Sequence, residues 1–109
     1  NRRRDAFLAA AKMGQEIYNI TGRHGGVSTI GSCTTKPGIV TSVVEECRIT
    51  LDQRHLDAAG LASLLADARA ACERFASEGK VEVAWDRIWQ IEPVLFHPHL
   101  LALFINSPL

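Results

Sequence analysis

Apolar and small residues return every three or four positions near the start of the chain: Phe7, Ala10, Ala11, Gly14, Ile17 and Tyr18. That spacing predicts a helix over residues 2–21. Ala10 and Gly14 are small enough to let another element approach closely. Gly22, followed by Gly25 and Gly26, predicts where the helix stops. Residues 27–35 are rich in Thr, Ser, Val and Ile and predict a strand, and Lys36-Pro37-Gly38 predicts a turn. A second strand is expected over 40–53. Val43, Cys47, Ile49 and Leu51 form its apolar face, with Glu45 a polar exception near the start. Glu46, Arg48, Thr50, Asp52 and Arg54 form the opposite face, as in a half-buried antiparallel strand.

Asp57 is placed to cap a second helix, with Leu56 and Leu61 spaced as a hydrophobic staple. Leu61, Leu64, Leu65, Ala68, Cys72 and Phe75 make its expected buried stripe, and Gly79 its end. A last strand is predicted over 80–91, with Val81, Val83, Trp85, Trp89 and Ile91 on one face. Arg87 interrupts that face, either over a tryptophan ring or at the rim of the sheet. The order helix, strand, strand, helix, strand predicts an α+β fold, an antiparallel sheet with two helices on one face. A β-α-β-β-α-β arrangement needs one more strand ahead of the first helix. That strand is expected to be missing, and Phe96-His97-Pro98-His99-Leu100 reads as the start of a further helix. The chain is therefore expected to be a piece of a longer protein.

Composition narrows the functional classes. The chain has 109 residues, formal net charge zero and 47% hydrophobic residues, enough for one domain with a modest core. Nucleic-acid binding draws on a basic excess, and none exists here; Arg2-Arg3-Arg4 reads as a solvated helix end. The longest apolar stretch, near 94–105, is broken by His97, Pro98 and His99 and is too short to span a bilayer. No nucleic-acid or membrane partner is expected, and no signal peptide is visible. Cys33, Cys47 and Cys72 are odd in number and lack CxxC spacing, so they read as buried free thiols in a reducing cytoplasm. His97-Pro98-His99 is a weak metal signal and reads as a surface or inter-domain segment.

Several of these motifs come together in one family. Arg3-Arg4-Asp5-Ala6, Lys36-Pro37-Gly38 and above all Ile49-Thr50-Leu51-Asp52-Gln53-Arg54-His55 resemble the lid domain of zinc-dependent N-carbamoyl-L-amino-acid hydrolases. Allantoate amidohydrolases and β-alanine synthases belong to the same group of aminoacylase- and carboxypeptidase-like metallohydrolases. The resemblance runs from Arg2 to about Leu100 and implies a lid and dimerisation domain over 1–95. It leaves 96–109 as a return toward a catalytic domain or an appended tail. It implies a cytoplasmic homodimer whose separate catalytic domain holds two metal ions, zinc or manganese, and cleaves linear C–N bonds. This chain would then bind no metal and carry no catalytic residue.

Arg54 is implied to hold the substrate carboxylate, a role that suits a planar, permanently charged guanidinium. Read without the family, Arg54 is the salt-bridge partner of Asp52 or Asp57. Thr41 stands where relatives carry an asparagine, and Val44-Glu45 where they carry Pro-Gly. Thr41 is thus either a shorter substrate contact or a strand-opening residue that touches no ligand. A family histidine that reaches across the dimer would precede Asn1. His24, expected in an exposed loop, and His55, expected to orient the loop or helix start, are not its replacements. The competing reading is a free-standing α+β oligomerisation or ligand-binding module. Such a module would own every strand of its sheet.

Overall fold

The computed structural model describes residues 5–88 and 97–107, with the backbone alone described at 97–99. Helix α1 spans Ala6–His24. It starts behind Asp5, whose Oδ1 accepts from the Leu8 N–H at 3.0 Å. Residues 2–4, expected in the helix, lie outside the described residues. Gly22 does not stop it; the left-handed residue is Gly25, at φ 70°. Strands β1 (Val27–Lys36) and β2 (Glu46–His55) form an antiparallel hairpin. Its register runs from Val27 opposite Arg54 to Lys36 opposite Glu46, with a bulge between Ile30 and Ser32.

The strand expected from residue 40 begins at Glu46 instead. Pairing with β1 ends at Lys36, and the Val44 carbonyl is taken by the first helical N–H, Ala6, at 2.9 Å. Helix α2 (Ala58–Gly79) is capped by Asp57, whose Oδ2 accepts from Gly60 at 3.2 Å. The staple does not form: Leu61 is buried, whereas Leu56 is 77% exposed. The stripe is as expected, with Leu61, Leu64, Ala68 and Cys72 buried and Leu65 and Phe75 packed at its margin. Strand β3 is shorter than expected, Glu82–Arg87. Val83 and Trp85 lie half-buried; Trp89 and Ile91 are outside the described residues. Arg87 is exposed on this edge strand, and it is Arg69 of α2 that sits over the Trp85 ring, 5.1 Å from its centroid.

The largest departure is at the C-terminal end. In place of a helix, His97–Asn106 is a strand, β4, lying between β2 and β3 in the order β1-β2-β4-β3. All three pairings are antiparallel. Leu101, Leu103 and Ile105 face Leu51, Ile49 and Cys47 across β2 and are buried under the helices. Ala102, on the other face, is also buried. A central strand is apolar on both faces, and a short continuous apolar run does not separate such a strand from a buried helix by periodicity. The slot that the β-α-β-β-α-β arrangement gives to its first strand is thus occupied by β4. Residues 97–106 belong to the same folded unit as 6–87, not to a segment leaving a domain at 95. The class is α+β as expected: two helices over one antiparallel sheet, with Met13, Ile17, Leu51, Cys72, Leu103 and Ile105 at the centre of the core. Among the described residues no helix is long and apolar enough to cross a membrane.

Candidate functional site

Asp52 and Arg54 lie two residues apart on β2, so strand geometry puts both on the sheet face away from the helices. Arg54 Nε donates to Asp52 Oδ1 at 3.0 Å and Nη2 to Oδ2 at 3.0 Å. The side chains are 37% and 30% exposed. The hydrogen bonds and charge of Asp52 raise the Arg54 pKa further, so the guanidinium stays charged. This pair uses two of the five guanidinium N–H donors.

Arg54, Asp52, Gly25, Gly26, Thr29 and Leu56 line an open cleft of about 460 Å³. The approach of β1 to β2 at its floor depends on Gly26. A Cβ there would lie 2.9 Å from the Arg54 carbonyl oxygen and 3.1 Å from Leu64. His55 closes one side. Its Nε2–H donates to the His24 carbonyl at 2.8 Å, and its Nδ1 accepts from the Asp57 N–H at 2.9 Å. One donor and one acceptor assign the neutral Nε2–H tautomer. Both nitrogens are engaged, so His55 joins the end of α1 to the start of α2, the orienting role expected of it. His24 is not in a loop: it is the last residue of α1, with Nε2 2.7 Å from Asp67 Oδ2 on α2.

Thr41 is elsewhere. It is exposed in a turn in which Ser42 N donates to the Ile39 carbonyl at 3.2 Å, at the far end of the β1–β2 hairpin. From Glu46 to Arg54 the strand advances roughly 26 Å at the usual rise per residue. A single amino-acid-sized ligand cannot touch both Arg54 and Thr41 within one chain. The structure brings Arg54 to a cleft and leaves Thr41 outside it.

One polar residue in this region was missed from the sequence. Gln53 is fully buried, and neither its Nε2 nor its Oε1 has a hydrogen-bond partner among the described residues. Its position gave the signal, since it shares the inward parity of Cys47, Ile49 and Leu51. Nearby polar groups are already paired: Thr21 Oγ1 donates to the Ile17 carbonyl at 2.6 Å and accepts from Ser28 Oγ at 2.6 Å. No three His, Cys, Asp or Glu side chains converge to hold a metal among the described residues. The side chains of His97 and His99 lie outside the described residues. Arg54 and the Asp52 carboxylate that pairs with it both line the cleft. No family model, curated protein or solved structure matches the chain.

Proposed function

We propose that this chain is the substrate-binding and dimerisation domain of a metal-dependent amidohydrolase. Its substrates would be N-carbamoyl amino acids or related ureido acids, cleaved at a linear C–N bond. The observation that carries the reading is Arg54, about a third exposed at the rim of an open cleft, its plane held by Asp52 and part of its donor set unused among the described residues. A carboxylate meets such a guanidinium through two parallel hydrogen bonds. Zinc or manganese would sit in a separate catalytic domain, where it would polarise the carbonyl and activate water. This domain would position the substrate for that attack.

The test has two arms. Titrating the chain with an N-carbamoyl amino acid should shift NMR resonances of residues 25–29 and 52–56, and Arg54→Ala or a carboxamide analogue should abolish the shifts. Equal binding of the carboxamide would remove Arg54 from the reading. In a longer protein that carries this domain, turnover of the same compounds should vanish with a chelator and fall steeply in Arg54→Ala. No turnover with metal loaded would refute the hydrolase assignment. A specific observation favours a second reading, a free-standing ligand-binding module: β4 fills the central slot, so the chain completes its own sheet. A sedimentation experiment separates them, since a monomer at high concentration supports the module and counts against dimerisation.

A further inference from the structure

The cysteine spacing offers no pairing and predicts buried free thiols, whereas in the structure Cys33 is exposed and its sulfur meets that of buried Cys47. Cys33 lies opposite Ile49 on β1 and Cys47 opposite Thr35 on β2, a diagonal on the sheet face that meets the helices. Their sulfurs are 3.5 Å apart. The two environments differ sharply. Cys47 is fully buried in the core, whereas Cys33 is exposed on the edge strand. The Cys33 side chain opens onto a groove of about 260 Å³ between α1 and β1, lined also by Phe7, Gly14, Tyr18 and Ile30. Cys72 is buried on α2.

From this arrangement we infer that Cys33 and Cys47 are a peroxide-reactive dithiol, with Cys33 the sulfur that meets the oxidant and Cys47 the one that resolves it. Independently of the amidohydrolase reading, the pair is a modification site. In the first step the Cys33 sulfur attacks a peroxide oxygen. The O–O bond breaks, water (or an alcohol, from an organic peroxide) leaves, and Cys33 becomes a sulfenic acid. In the second, the Cys47 sulfur attacks the Cys33 sulfur. The S–O bond breaks, and the Cys47 proton leaves with the hydroxyl as water. Two thiols and one peroxide thus become one disulfide and two hydroxylic products, the thiols oxidised and the peroxide reduced. A disulfide holds its sulfurs at about 2 Å, so the pair must close by roughly 1.5 Å. Among the described residues strand β1 is paired on one side only, which leaves it free to make that adjustment. Burial and the neighbouring Cys33 push the Cys47 thiol up to about 12, which keeps it protonated and unreactive toward oxidant in solution; its place in the second step follows from its contact with the Cys33 sulfur.

The test is treatment of the whole chain with hydrogen peroxide, followed by digestion with trypsin and a glutamate-specific protease and mass spectrometry. The expected product has lost two hydrogens, links the Cys33 and Cys47 peptides, and reverts with a dithiol reductant. Cys72→Ser should keep the link, and Cys33→Ser should lose it. In Cys47→Ala a 1,3-diketone trap should capture the sulfenic acid at Cys33. The link in the unmutated chain stands even if a core variant misfolds. Three results would overturn the inference: over-oxidised Cys33 without the link, a link to Cys72, or a Cys33–Cys33 link between two chains.

Discussion

Gly60→Ala tests the latch that shapes the candidate cleft. Gly60 is the third residue of α2, and a Cβ there would fall 2.6 Å from His55 Nε2 and 2.7 Å from Nδ1. These are ring atoms wedged between α1 and α2, so the imidazole must leave. It then gives up the bonds to the His24 carbonyl and the Asp57 N–H. At ~1 kcal/mol for each bond the loss is ~2 kcal/mol. Alanine recovers up to ~1 kcal/mol through helix propensity. The expected net destabilisation is ~1–2 kcal/mol, a fall in Tm on the order of 5–15 °C for a chain of this size. Urea denaturation followed by circular dichroism measures it, and a double-mutant cycle with His55→Ala isolates the cause. Once the ring is gone, Gly60→Ala should become neutral or stabilising. If the same destabilisation persists in the His55→Ala background, the collision is not with His55 and the latch argument fails.

Gln53→Met keeps the side-chain length and removes a buried amide that has no hydrogen-bond partner among the described residues. It should stabilise the fold by ~1–3 kcal/mol in chemical denaturation, and a loss of stability would mean that the amide is bonded. Asp52→Asn removes the anion that holds Arg54. Carboxylate binding, measured by calorimetry, should tighten, whereas the urea midpoint should change little because solvent screens the exposed pair. Burial raises the Cys72 thiol from 9.0 to about 12, so between these values the folded chain holds a proton that the unfolded chain has lost. That contribution is complete below pH 9 and lost as pH rises toward 12, so urea midpoints should fall above pH 9, and less steeply in Cys72→Ala. A midpoint flat across that range would contradict the burial of Cys72.

Local order in the chain was enough for the elements whose causes are local. The alternation through Cys47, Ile49 and Leu51, the stripe from Leu61 to Cys72 and the cap Asp57 each depend on residues a few positions apart. Arg54 was legible for the same reason, as a strand-end cation beside Asp52. Tertiary structure decided what depends on distant partners. The run Leu100–Ile105 satisfies a helix or a strand equally well until the empty slot between β2 and β3 demands a segment apolar on both sides. Thr41 precedes Arg54 by only thirteen residues, yet strand β2 separates them to opposite ends of the sheet, so nearness along the chain did not become a shared site. The bonds of His55 to the end of one helix and the cap of the other, the burial of the Gln53 amide and the meeting of Cys33 with Cys47 follow from which strands pair and in what register. That is a collective property of the packed core, and no short stretch of residues contains it.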